Sequence, residues 1–147
     1  MTVSFIIPTP DDIRKKTEAV FKRCPCDFQV EAALTLLQCE YVILVAPTGS
    51  GKTLPLWIPS LFNNSGITVT ITALNILGEQ NKNELKVVGI KAVSVTTSNA
   101  SADLYKDITA CKYHIVIIPP EHAKPNAQFQ KILLTKSFIA KLFNICY

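Results

Sequence analysis

The chain has 147 residues, 48% of them hydrophobic, with five glycines and nine prolines; that is the make-up of one ordinary globular domain and excludes a disordered or low-complexity segment. Its net charge of +4 is uneven: residues 1–40 carry five Lys or Arg against six Asp or Glu, and residues 41–147 carry ten Lys against five acids. A solvated lysine face accounts for an excess of this size, so charge gives a phosphate-backbone partner only slight support.

The longest apolar run, Tyr41 to Pro47, is far shorter than the ~20 residues of a membrane-spanning helix. "MTVSFIIPTPDD" at the start lacks a basic region and a cleavage pattern, so the protein is expected to stay inside the cell. Cys24, Cys26, Cys39, Cys111 and Cys146 are odd in number and form no CxxC pair, which argues against both a disulfide framework and a zinc site. The two histidines, His114 and His122, have no partner at metal-ligand spacing.

In chain order, "TPDD" (Thr9 to Asp12) is a helix start, with a Thr N-cap, Pro at the first helical position and acids facing the positive helix end. It predicts a helix from Pro10 to about Phe21. "CPCD" interrupts, and Val30, Ala33, Leu34, Leu36 and Leu37 then fall on one stripe of a second helix that ends near Cys39. "YVILVA" (Tyr41 to Ala46) is β-branched and apolar on both faces, as expected of a central strand in a parallel sheet. Further strands are predicted at Ile67 to Thr72, Lys91 to Val95 and Tyr113 to Ile118. Helical segments lie between them, at Asn75 to Val87, Ser101 to Ala110, and Asn126 to Leu142 with a break near Thr135. Alternating strands and helices predict an α/β fold. Nothing divides the chain, so residues 1–147 are expected to form one domain with residues 1–40 as a helical lead-in.

"APTGSGKT" follows the first predicted strand and precedes a helix, the setting in which a GKT sequence has meaning. Gly49 and Gly51 let the backbone curl so that amides converge on phosphate oxygens at a helix N-terminus. In this reading Ala46, Pro47, Thr48, Gly49, Ser50, Gly51, Lys52 and Thr53 form an ATP-binding loop. Lys52 reaches the β- and γ-phosphates, and the Thr53 hydroxyl coordinates Mg²⁺. The first loop position is Ala46 where the general phosphate-loop pattern has Gly. Pro55 is tolerable in the first turn of the following helix, whereas Pro59 is expected to end or kink it.

Ala-Pro-Thr-Gly-x-Gly-Lys-Thr resembles motif I of the superfamily 2 helicases, the DEAD- and DEAH-box proteins. Gln29 lies 23 residues before Lys52, the spacing at which RecQ-type helicases place an adenine-recognising glutamine; by itself it reads equally as a polar residue near a helix start. "ITALNILGEQ" resembles RecQ motif Ia, "SPLxxLMxDQ", which implies that Ala73, Leu74, Asn75, Leu77 and Gln80 line a DNA strand. "HIVIIPPEH" resembles the "YxxPE" strand and turn, with Pro120 and Glu121 in place. The resemblance runs from about Ile13 to the end and implies a RecA-like P-loop lobe with a mainly parallel sheet, binding ATP, Mg²⁺ and single-stranded or forked DNA in the nucleus. "NKNE" (Asn81 to Glu84) approximates a guanine-reading sequence but has Glu for Asp and falls on a predicted helix, so it is read as surface.

Hydrolysis in this class needs an Asp for magnesium, a Glu for water and an arginine for the transition state. After the loop the acids are Glu79, Glu84, Asp103, Asp107 and Glu121, none of them behind an apolar strand in the DEAH manner, and both arginines, Arg14 and Arg23, precede the loop. The resemblance therefore implies a first helicase lobe cut short before its DEAH box, with "FNICY" opening that box's strand and the sheet incomplete there. Two functions stay open: the ATP-binding lobe of a RecQ-like DNA helicase, or a stand-alone nucleotide-binding module without turnover. A small-molecule kinase is disfavoured because no arginine follows the loop.

Overall fold

A computed structural model of the chain describes residues 6–72, 75–123 and 127–147, with residues 75–77 described by their backbone alone. It divides into two compact units, residues 1–64 and 65–147.

The first unit is helical. Its opening helix, α1 (Pro10–Phe21), starts where the TPDD sequence predicts. The Thr9 amide donates to Asp12 Oδ2 at 3.1 Å and the Asp12 amide donates to Thr9 Oγ1 at 3.2 Å, closing a reciprocal cap over two otherwise unpaired donors. The bonds from Thr9 hold the Asp12 carboxyl below its ordinary pKa. Ile13, Thr17 and Phe21 recur on one face and are buried. Helix α2 (Asp27–Leu37) buries Val30, Ala33 and Leu37 on its own stripe. Arg14 fastens the connection between the two helices, donating to the Pro25 carbonyl at 2.9 Å and to Asp27 Oδ1 at 2.7 Å.

Helix α3 (Leu54–Phe62) buries Trp57, Ile58 and Leu61. It is short, as expected, but Pro59 does not end it: the helix continues to Phe62, and the Asn63 amide donates to the Pro59 carbonyl at 3.0 Å. A mid-helix proline costs about 3 kcal/mol. Pro59 is itself buried on a helix that also buries Trp57, Ile58 and Leu61, large apolar side chains each worth about 1.5–3 kcal/mol when taken out of water, so packing outweighs the lost bond.

The strand predicted at Tyr41 to Ala46 is not formed. Residues 41–47 carry no ladder, and Tyr41, Ile43 and Val45 are 103%, 93% and 90% exposed. A strand exists only through bonds to neighbouring strands, and no described strand pairs with this run.

The second unit is a four-stranded sheet built from β1 (Ile67–Ile71), β2 (Ala92–Ser94), β3 (Ile115–Ile118) and β4 (Leu142–Cys146). The spatial order is β2-β3-β1-β4 and every pair is parallel, so the expected α/β architecture with a parallel sheet is observed. Between the strands lie α4 (Asn75–Val87), α5 (Ala102–Thr109) and the three short helices α6 (Pro120–Ala123), α7 (Ala127–Leu134) and α8 (Lys136–Ile139). The expected break at Thr135 falls between α7 and α8. The last strand starts at Leu142, where the sequence pattern still reads as helix.

The two faces of the sheet differ. Val93, Val95, Val116, Ile118, Ile67 and Val69 pack against Tyr105, Ile108, Phe129, Ile132 and Phe138 to form an apolar core. On the opposite face the register aligns Thr68 with Ile115 and Asn144, and Thr70 with Ile117 and Cys146. Helix α4 lies close on this face, because a Cβ added to Gly78 would sit 2.5 Å from Ser94 Oγ and 3.4 Å from Ile117 Cγ2. Burial pushes the Cys146 thiol up to about 11. Among the described residues no helix is long and apolar enough to cross a membrane.

Candidate nucleotide and nucleic-acid site

The loop from Ala46 to Thr53 is built on two left-handed glycines. Gly49 has φ 81° and Gly51 φ 78°, a region that costs other residues roughly 1–2 kcal/mol. Their surroundings differ. A Cβ on Gly49 would meet nothing within 4 Å, whereas one on Gly51 would sit 2.6 Å from Gln29 Nε2. Gly49 is needed for its backbone conformation, and Gly51 also for the close approach of a side chain.

That side chain connects two of the sequence-predicted site residues. Gln29 Nε2 donates to the Gly51 carbonyl at 2.9 Å and to the Ser50 carbonyl at 3.4 Å, while Oε1 accepts from the Cys26 amide at 3.0 Å. Gln29 is 7% exposed. Its amide nitrogen serves two carbonyls of the loop and one of its two acceptor sites is taken, so Gln29 acts as a brace between the start of α2 and the Ala46–Thr53 loop. Sequence reasoning missed the Cys26 amide. Its signal was the spacing of an N-cap and the third helical position, the capping-box pattern with Cys in place of Ser or Thr.

Lys52 folds across the loop, with Nζ donating to the Ala46 carbonyl at 2.6 Å and the Pro47 carbonyl at 2.7 Å. The ammonium group is thus held beside the loop backbone, positioned to exchange neutral carbonyls for phosphate oxygens. Ser50 Oγ is buried and has no hydrogen-bond partner within the protein, a polar atom in want of a ligand oxygen or water. Thr53 is the N-cap of α3, is exposed and makes no side-chain cap bond. The first amides of α3 are already bonded, Leu54 donating to the Gly51 carbonyl at 3.2 Å and Leu56 to the Thr53 carbonyl at 3.0 Å, and Pro55 has no N–H. Glycine conformations, an ammonium group and an orphaned hydroxyl fit a triphosphate, and the Thr53 hydroxyl, exposed and free of a cap bond, fits a magnesium ligand.

A second group of expected residues lies in the second unit. Ile71 of β1 is in register with Ile118 of β3, and the Thr72 amide donates to the Ile118 carbonyl at 3.2 Å. The chain that leaves β1 toward motif Ia and the chain that leaves β3 toward Pro120 and Glu121 therefore emerge side by side, at the carboxyl edge of a parallel sheet, where ligands bind in open α/β folds. Gln80 is exposed on α4, and Pro120 and Glu121 are exposed in α6. Ala73 and Leu74, and the side chains of Asn75 and Leu77, lie outside the described residues. "NKNE" lies on α4, as expected of surface, with Lys82 3.5 Å from Glu79. Among the described residues no group of His, Cys, Asp or Glu could hold a metal ion by itself.

Residues 26–139 match the DEAD/DEAH box helicase family. The chain is also 33% identical, over 113 residues, to ATP-dependent DNA helicase Q1 of Mus musculus; the match covers 77% of this chain and 16% of the mouse protein. The RecQ-like resemblance expected from the motifs is met by that relative. With a family match over most of its length, spanning the Ala46–Thr53 loop and all but the last strand of the parallel sheet, the chain belongs to the DEAD/DEAH box helicases.

Proposed function

We propose that residues 1–147 belong to one ATP-binding lobe of a RecQ-like DNA helicase, with both compact units taking part. The family match supports this reading because it runs unbroken across the boundary between the units at residues 64 and 65. Ala46 to Thr53 hold the triphosphate, Lys52 contacts the β- and γ-phosphates, and Thr53 ligates Mg²⁺. Gln29 supplies its remaining acceptor site to adenine while it braces Gly51. Ala73, Leu74, Asn75, Gln80, Pro120 and Glu121 line a DNA strand. ATP-driven strand separation, and action on DNA in the nucleus, belong to the longer helicase that such a lobe serves.

The observation that carries this reading is the brace, in which one buried amide spans from the α2 start to the phosphate loop. Equilibrium binding of fluorescent ATP and GTP analogues, with and without Mg²⁺, tests it. The expected result is tighter binding of the adenine nucleotide, with Gln29→Ala weakening affinity and selectivity together. Equal affinity for both nucleotides, unchanged in Gln29→Ala, would remove Gln29 from the site. Single-stranded DNA binding weakened by Gln80→Ala or Glu121→Ala, against an exposed control such as Lys22→Ala, tests the strand-lining residues.

A further inference from the structure

The second unit carries a groove of about 490 Å³ between α5 and α7. Ala102, Lys106 and Thr109 border it from one helix, and Lys131, Ile132 and Thr135 border it from the other helix and its end. With Tyr105 on the first helix and Gln128 on the second, the lining positions repeat at i, i+3, i+4 and i+7, so each helix presents a single stripe to the groove. Tyr105 and Ile132, 5% and 4% exposed, form its floor. The threonine hydroxyls are given to their own helices, Thr109 to the Tyr105 carbonyl at 2.7 Å and Thr135 to the Lys131 carbonyl at 2.9 Å. The surface left is mainly apolar, with the Gln128 amide and two lysines, Lys106 on one helix and Lys131 on the other, as its polar groups.

The charge is one-sided, since no carboxylate lines the groove. Asp103 stands 3.5 Å from Lys106 outside it, with both side chains more than three-quarters exposed, a pairing that contributes little in water. Two facing helical stripes form the seat into which a third helix packs, and eight-residue helices, about 12 Å long, offer length for about two turns. Nucleic acid fits poorly, because it calls for a row of cations and donors along a backbone and not two lysines over an apolar floor.

We propose that this groove docks an acidic amphipathic helix of a partner protein, its apolar stripe on Tyr105 and Ile132 and its carboxylates on Lys106 and Lys131. This is helix-in-groove recognition with charge complementarity at the rim. The proposal does not depend on nucleotide binding at the loop or on DNA binding by the strand-lining residues.

Fluorescence anisotropy with the full chain tests it. The probe is a labelled helical peptide with leucines at i, i+3, i+4 and i+7 and glutamates flanking them, compared with a twin carrying lysines for glutamates. The expected result is saturable binding of the acidic peptide alone, weakened about tenfold or more by Lys106→Glu with Lys131→Glu. Ala102→Trp, an exposed first-turn position, should occlude the groove and weaken binding to a similar degree without changing rim charge. Circular dichroism on each variant separates lost binding from lost folding. No binding of the acidic peptide, equal binding of both peptides, or binding that both variants leave unmoved would overturn the proposal. So would a preference of the same two lysines for an oligonucleotide that displaces the peptide.

Discussion

Tyr41–Ala46 and Ile67–Ile71 are both short, β-branched and apolar, yet only the second is a strand. Ile67–Ile71 pairs on both sides, with β3 and β4, and is almost wholly buried. Tyr41–Ala46 has no ladder and exposes Tyr41, Ile43 and Val45. Composition sets which segments can join a sheet, and available edges decide which ones do. The two units divide in charge as well: residues 1–64 hold six basic and six acidic side chains, and residues 65–147 hold nine and five. The whole net charge thus lies in the unit that carries the sheet, while the Ala46–Thr53 loop lies in the neutral, helical one.

The largest effects ask whether these units fold together. Phe138 and Trp57, 0% and 1% exposed, anchor the sheet unit and the helical unit, and truncating either to Ala should destabilise by about 3–5 kcal/mol. In urea denaturation followed by circular dichroism, one cooperative body shows both losses in a single transition. Independent units show two transitions, each moved by one variant. Trp57→Phe should be much milder than Trp57→Ala, because the indole N–H is buried without a partner in the protein and its removal leaves no donor unsatisfied.

Next in size is a pH effect confined to the sheet unit. The Cys146 thiol is raised from 9.0 to about 11 by burial. Its protonated form is favoured in the fold, so this stabilisation is intact below pH 9 and is lost as pH rises from 9 through 11. The loss amounts to about 2–3 kcal/mol at most. Urea midpoints against pH should fall through that window in the native chain and less in Cys146→Val. A profile identical in both would exclude the thiol as the cause.

Gly51→Ala should destabilise more than Gly49→Ala. Both lose roughly 1–2 kcal/mol to the left-handed backbone, but only the first drives a Cβ into Gln29 Nε2. Equal melting temperatures for the two variants would mean that the brace contributes nothing. Smallest is Thr9→Ala, which removes the α1 cap and should lower stability by about 1 kcal/mol, again by urea titration.

What could be read in the sequence follows the range of the forces involved. Helix α1 begins and ends where TPDD and Phe21 place it, because capping is settled within four residues. The interruption at Thr135 and the parallel strands at Ile67, Ala92 and Ile115 are legible for the same local reason. The state of Tyr41–Ala46 depends on a partner strand distant in sequence, and the continuation of α3 through Pro59 depends on burial of that ring. Within the candidate site, loop chemistry points to Lys52, and only the helicase resemblance points to Gln29. Their geometry is not legible in the sequence: a glutamine bonded to carbonyls 21 and 22 residues away, and a lysine folded onto Ala46 and Pro47, are products of the tertiary fold.

The central claim is that the braced loop holds a triphosphate, and calorimetric titration of Mg-ATP into the chain tests it most directly. The account predicts saturable binding at one site, abolished in Lys52→Ala while that variant keeps the native melting temperature. Absence of heat in the native chain, or equal binding by Lys52→Ala, would contradict it.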